Sequence, residues 1–177
     1  MWWCEGEGEK VKRSRIITGV LSTALAFALS GCGFHLRGVM ALPFDTLQIA
    51  TASPISIDLK RNIASGTRTK LVDSQQGAQA VLSIASEVRD KVILSFNTAG
   101  RVQEYQLRYK VAFRVVDPKG RDYLPLSEIQ LTRDITSNDS QVLAKESEEA
   151  LMYRDMQNDM VQQILRRLAA SKPPVTE

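Results

Sequence analysis

Residues 105–115 read Tyr-Gln-Leu-Arg-Tyr-Lys-Val-Ala-Phe-Arg-Val, an alternation of apolar and polar residues over eleven positions. One face of this stretch carries Tyr105, Leu107, Tyr109, Val111, Phe113 and Val115. The other face carries Gln106, Arg108, Lys110 and Arg114, preceded by Glu104, with the small Ala112 between them. A period of two is typical of a β-strand that is buried on one side. The stretch therefore predicts a long half-buried strand, and another layer must cover its apolar face.

Further strands are predicted on both sides of this one. Short alternations run over residues 46–51 and 129–135, and a longer one runs over residues 80–95. In the longer segment, Leu82, Ile84 and Val88 are expected on one face, and Glu87 and Arg89 on the other. Residues 117–120, Asp-Pro-Lys-Gly, predict a hairpin turn. Residues 71–72 fit either a short strand or a loop.

Two segments predict helices. The first begins at Pro54 after a capping Ser53 and carries an apolar stripe of Ile55, Leu59 and Ile63. The second runs from about residue 142 to 169, and its stripe contains Met152, Met156, Met160, Ile164 and Leu168. A methionine stripe can serve adaptable binding, but we interpret it as core. The element order predicts an α+β two-layer sandwich, with a mixed, mostly antiparallel sheet of about four strands and both helices on one face.

The first 31 residues have the pattern of a secretory signal peptide. A run from Ile16 to Leu29 has no charged residue and follows four basic residues, and it is too short to span a membrane. Residues 29–32, at the end of this run and directly after it, read Leu-Ser-Gly-Cys, which resembles the bacterial lipobox. That resemblance implies cleavage before Cys32, a diacylglycerol on its sulfur and an acyl chain on its new amino group; the alternative is an ordinary leader with a chance cysteine.

The sequence predicts four regions. Residues 1–31 form the signal peptide, residues 32–45 a lipidated tether, residues 46–171 a single α+β domain, and residues 172–177 a disordered tail that starts at Lys-Pro-Pro. Acidic residues and paired tryptophans within residues 1–9 are unusual ahead of a leader. Our hypothesis is that translation begins at Val11 from an alternative initiation codon.

Composition argues against several classes of function. The leader holds four of 23 basic and three of 20 acidic residues, so the mature chain has a charge of only about +2, which does not indicate nucleic-acid binding. The single histidine, His35, lies in the tether, and both cysteines, Cys4 and Cys32, lie at or before the cleavage point. We therefore expect no metal site, no catalytic nucleophile with its base, and no cofactor besides the acyl chains on Cys32.

Three segments resemble one protein family. They are residues 32–37 (Cys-Gly-Phe-His-Leu-Arg), residues 100–107 (Gly-Arg-Val-Gln-Glu-Tyr-Gln-Leu) and residues 143–146 (Leu-Ala-Lys-Glu). In this order they resemble the LptE family of lipopolysaccharide-assembly lipoproteins. The resemblance implies an outer-membrane lipoprotein that plugs and helps assemble the LptD β-barrel and binds lipopolysaccharide for delivery to the outer leaflet. It would be lipid-anchored, on the periplasmic side and in the barrel lumen. The alternative is a lipoprotein adaptor or pilotin for a different outer-membrane complex.

The resemblance also implies candidate site residues. Lys145 matches a family position that binds lipopolysaccharide, and Arg101 matches a basic loop position more loosely. Arg108, Lys110 and Arg114 are candidates to face the barrel, because barrel lumens are polar. The competing interpretation of these three residues is an ordinary solvated sheet face.

Overall fold

The computed structural model describes residues 40–137 and 142–173. Its elements are β1 (Thr46–Ile49), α1 (Pro54–Gly66), β2 (Lys70–Leu71), a 3₁₀ turn (Gln75–Gly77), β3 (Ala80–Phe96), β4 (Val102–Val116), β5 (Asp122–Thr136) and α2 (Val142–Ala170). The strands in this part of the chain form one sheet in the order β2-β1-β3-β4-β5. β1 is parallel to β2 and β3, whereas β3, β4 and β5 are antiparallel. The predicted α+β fold is confirmed, and the fifth strand is the two-residue β2.

One apolar core joins the sheet to both helices. The predicted inward face of β4 is buried, with Leu107, Tyr109, Val111, Phe113 and Val115 all at 0% exposure. The stripe of α1 and four residues of the α2 stripe, from Met156 to Leu168, are equally buried. Phe44, at the end of the predicted tether, is also buried and packs edge-on against the ring of Tyr123. The methionine stripe of α2 is therefore core from Met156 onward.

The helix α1 begins where the sequence predicted. Ser53 occupies the N-cap position in extended conformation, and Pro54 is the first helical residue. The Ser53 backbone N–H donates to Ser56 Oγ at 2.9 Å, and Ser56 Oγ donates to the Ser53 carbonyl at 2.7 Å. Pro54 has no N–H that would need a partner in the first turn, and its φ is already fixed near the helical value. Proline therefore favours the start of α1 at this position.

A register irregularity in β3 changes which side chains face the helices. Pairing with β4 slips between Ile84 and Ser86, as in a β-bulge. Beyond this point Glu87 lies opposite the buried Val111, while Val88 is 46% exposed. The expected faces of Val88, Glu87 and Arg89 were therefore wrong. One extra residue moves the side chains that follow to the opposite face, and here this holds from Glu87 to Ile93, after which the pairing shifts again.

The two hairpin turns share one construction. Asn97 and Asp117 each donate their backbone N–H to the carbonyl four residues later, at 2.8 Å. The side-chain oxygen of each residue also accepts from the N–H groups two and four residues later. Gly100 and Gly120 have φ of 75° and 85°, a conformation that glycine adopts without strain. The predicted turn at residues 117–120 is thus confirmed.

Several predictions concern residues outside the described ranges. These are the signal peptide, Cys32 and the tether up to residue 39, and the last four residues of the tail. The proposed region boundaries and the start at Val11 stay predictions.

Candidate functional site

The three barrel-facing candidates lie on the sheet face opposite the helices, here called the open face. Arg108 lies between Asp90 of β3 and Thr132 of β5 in the strand register. Lys110 lies between Val88 and Gln130 in the next row. Arg114 follows on the same face of β4. The alternation of β4 thus brings all three cations to one surface.

Two of these cations already have acidic partners on neighbouring strands. Arg108 Nη2 lies 2.6 Å from Asp90 Oδ2, and Arg114 Nε lies 2.6 Å from Asp122 Oδ1. The hydrogen bond to Asp122, together with its charge, raises the pKa of Arg114. Lys110 makes no ion pair with any residue that the structure describes. The open face is therefore mostly charge-balanced, and Lys110 is its unmatched cation.

Arg101 and Lys145 lie at the distal end of the sheet, which we define as the 97–101 turn, the end of β5 and the first turns of α2. Lys145 Nζ donates to Thr136 Oγ1 at 3.2 Å and to Glu148 Oε2 at 2.8 Å. The Arg101 backbone N–H donates to Asn97 Oδ1 at 3.0 Å, and its side chain is exposed. The structure thus places both residues at the same end of the molecule.

Exposed apolar side chains lie near these cations, and sequence reasoning missed them. Ile93, Leu94 and Phe96 at the end of β3 are 49%, 46% and 60% exposed, and Leu143 at the start of α2 is 79% exposed. We call these four residues the apolar rim. The signal was present in the sequence as a run of apolar residues that breaks the alternation of β3. Apolar surface beside cations is suited to an amphiphile that carries both acyl chains and phosphate.

A polar layer lies between β3 and the helices beyond the bulge. Tyr109 Oη donates to Glu87 Oε1 at 2.7 Å, and the N–H of Ile55 in the first turn of α1 donates to Glu87 Oε2 at 3.3 Å. Burial raises the pKa of Tyr109, and the hydrogen bond to Glu87 raises it further. The Glu87 carboxylate thus joins β3, β4 and α1.

The first half of α2 is held to the sheet by polar contacts. Lys91 Nζ lies 2.6 Å from Glu149 Oε2 and 4.5 Å from the ring centroid of Tyr105. Tyr153 Oη donates to the carbonyl of Asp90 at 2.9 Å. The apolar contacts of α2 are concentrated in its second half, from Met156 onward.

Within residues 40–137 and 142–173, no three His, Cys, Asp or Glu side chains come together in a way that could hold a metal ion. The helices of this part of the chain are also too short or too polar to cross a bilayer.

Comparison with known protein families shows to which family the chain belongs. A family model described as "LptE: Lipopolysaccharide-assembly" matches residues 44–168. The chain belongs to this family. Two relatives named LPS-assembly lipoprotein LptE support the assignment. The protein from Pectobacterium atrosepticum is 32% identical, and the one from Photorhabdus laumondii is 30% identical. Each alignment covers 88% of this chain and 86% of the relative.

Solved structures show the same fold. An uncharacterized lipoprotein B from Nitrosomonas europaea superposes with a TM-score of 0.69 at 42% identity, over 78% of this chain and 91% of that chain. The rare lipoprotein B from Shewanella oneidensis has a TM-score of 0.62 at 24% identity, over 71% of this chain and 94% of that chain. The chain thus shares its fold with both of these lipoproteins.

Proposed function

We propose that this protein is an outer-membrane lipoprotein that plugs and helps assemble an LptD-type barrel and binds lipopolysaccharide for delivery to the outer leaflet. The observation that carries the proposal is the family match over residues 44–168, with relatives named for lipopolysaccharide assembly. In this role Cys32 carries the diacylglycerol and the N-acyl chain that anchor the protein. The protein acts by binding and positioning, without catalysis.

The open face is the surface we assign to the barrel. A barrel lumen is polar, so a plug needs a face that offers hydrogen bonds without a large uncompensated charge. Asp90 and Asp122 neutralise Arg108 and Arg114, which meets this requirement. Lys110 remains available for an acidic group of the lumen. Lys110 is therefore the most informative position on this face.

Co-purification with the barrel tests this assignment. We expect Lys110→Glu in the full-length lipoprotein to reduce the recovery of an LptD-type barrel. Arg166→Glu on the exposed side of α2 is the matched control, with the same charge reversal away from the open face. Equal recovery with both variants removes Lys110 from the interface. A secretin-type partner in place of the barrel would instead favour the pilotin alternative.

The distal end is the surface we assign to lipopolysaccharide. Its phosphates can accept charge-assisted hydrogen bonds from Lys145 and Arg101, and its acyl chains can contact the apolar rim. Lys145 Nζ already donates a hydrogen bond to Glu148 Oε2 at 2.8 Å, so a phosphate must compete with that carboxylate. An anion that reaches both cations has an advantage over one that reaches Lys145 alone.

A paired substitution tests the lipid site. We expect Arg101→Gln with Lys145→Gln to weaken lipopolysaccharide binding while leaving the unfolding free energy within about 1 kcal/mol, as for surface changes. The control replaces two exposed lysines away from the distal end, Lys60→Gln with Lys119→Gln. If both pairs bind lipopolysaccharide as the wild type does, Arg101 and Lys145 are not part of the site.

A further inference from the structure

A polar cleft of about 440 Å³ lies between α1, the middle of α2 and β3, away from both surfaces assigned above. Three arginines line it, one from each element: Arg61, Arg89 and Arg154. Asp58 is the one carboxylate among the lining residues, so their net formal charge is +2. Asn158 and Gln157 add hydrogen-bonding groups. The lining thus favours an anionic ligand.

Arg89 is held in place by aromatic rings and an amide. Its guanidinium carbon lies 4.8 Å from the ring centroid of Tyr109 and 5.8 Å from that of Tyr153. Its Nη2 donates to Oε1 of Gln157, whose amide nitrogen donates in turn to Asp58. Oε1 of Glu87 lies 3.8 Å from Arg89 Nη2 and already accepts a hydrogen bond from Tyr109. The cation is therefore positioned but only partly neutralised.

The other two arginines can move to meet a ligand. Nη1 of Arg61 lies 3.3 Å from Oδ1 of Asp58, but the Arg61 side chain is 73% exposed. Ion pairs at such exposed positions contribute little to stability. Arg154 lines the same cleft from α2, is exposed, and pairs with no acidic group in the described ranges. A ligand could therefore recruit both guanidinium groups at small energetic cost.

We propose that this cleft binds a phosphate monoester carried by a sugar. A guanidinium group matches phosphate with two parallel hydrogen bonds, and a fixed Arg89 with two adjustable neighbours can surround one phosphate. The volume lies within the range of small-molecule sites, so a sugar ring can accompany the phosphate. The phosphate chemistry is shared by a glycolipid headgroup and by free phosphate. This inference extends beyond the proposed function, which used Arg101 and Lys145 at another end of the sheet.

Calorimetric titration of the full-length lipoprotein in detergent with glucosamine 1-phosphate tests the cleft. We expect saturable binding of one equivalent and about a tenfold weaker Kd in Arg154→Gln, from the loss of one charge-assisted contact. Arg154 is exposed, so the substitution should leave the fold intact. Arg166→Gln, an equal charge change on the same helix, should alter Kd by less than about twofold.

Three further results complete the test. Tighter binding of glucosamine 1-phosphate than of inorganic phosphate supports a sugar headgroup as the source, and equal binding of the two overturns the role of the sugar. Equal weakening by Arg154→Gln and Arg166→Gln, or no saturation at millimolar ligand, overturns the cleft itself. The Arg101→Gln, Lys145→Gln pair should leave this binding unchanged; if it abolishes binding, the site is at the distal end.

Discussion

Tyr109→Phe removes one hydroxyl from a fully buried side chain and leaves the packing of its ring intact. That hydroxyl donates to Glu87 Oε1 at 2.7 Å, and the Glu87 side chain is only 12% exposed. A hydrogen bond to a charged group contributes about 1.5–3 kcal/mol. We expect the variant to lose about 2 kcal/mol of unfolding free energy, seen in urea at neutral pH as a midpoint lower by about 1 M for an m-value of about 2 kcal/mol/M.

The raised pKa of Tyr109 also predicts how the unfolding free energy depends on pH. Burial, and then the contact with Glu87, raises the pKa of Tyr109 in the folded protein above the ordinary value of 10.0. Above pH 10 the Tyr109 hydroxyl loses its proton in the unfolded chain before it does so in the folded protein. The contribution of this hydroxyl to the unfolding free energy is therefore complete below pH 10 and declines as the pH rises further. Wild-type stability should therefore fall more steeply than that of Tyr109→Phe above pH 10.

Tyr105→Phe is the matched control for both measurements. It removes a hydroxyl from the same face of β4, and its ring stays beside Lys91. We expect a change below about 0.5 kcal/mol, as for a substitution that breaks no buried contact. If the two variants lose the same stability, or if Tyr109→Phe loses less than about 0.5 kcal/mol, the Glu87 contact does not stabilise the fold.

Met160→Ala should destabilise the protein by about 2–5 kcal/mol in thermal unfolding, because Met160 is fully buried and its truncation leaves a cavity. Asp117→Asn should destabilise the protein less in acid than at neutral pH. Burial raises the pKa of the Asp117 carboxyl, but hydrogen bonds from Arg121 and Lys119 outweigh this effect, so its pKa is lowered overall. The difference from wild type in urea should shrink as the pH falls below 3.8. Gly120→Ala should cost about 1 kcal/mol from its positive φ alone, whereas Gly66→Ala, in an ordinary helical position, should not destabilise the fold. Native-state amide exchange should show residues 143–153 opening at lower free energy than residues 156–168, and equal protection would contradict a weaker first half of α2.

The local sequence pattern was sufficient to predict the buried residues of elements that face one continuous core. The α1 stripe and the β4 alternation each face one continuous core, so their periods of about four and two predicted the buried residues correctly. The β3 bulge was not predictable in this way. Residues 83–86 read Ser-Ile-Ala-Ser and contain no residue that requires an extra position in the strand. The slip is defined by pairing with a strand some 30 residues later, which is non-local information.

The same distinction applies to the candidate site. Alternation in β4 predicted that Arg108, Lys110 and Arg114 share a face, and the structure has them there. Their different electrostatic states could not be predicted, because Asp90 and Asp122 come from two other strands whose registers are set independently. The distinction between paired and unmatched cations is a tertiary property, although every residue involved is visible in the sequence.

The bulge in β3 divides the layer between sheet and helices into two chemically different halves. Before it, Leu82 and Ile84 contribute to the apolar core; after it, Glu87, Arg89 and Lys91 occupy the helix-facing positions. Apart from the hydrogen bond between Tyr109 and Glu87, the charged contacts of the later half are partly exposed. Such contacts contribute little compared with burial of whole apolar side chains, so we expect the later half to be held more weakly. That half carries the distal end and its apolar rim. We therefore expect the register slip within β3 to let the distal end open more easily than the rest of the fold, which the core around Met156, Met160 and Ile164 keeps closed.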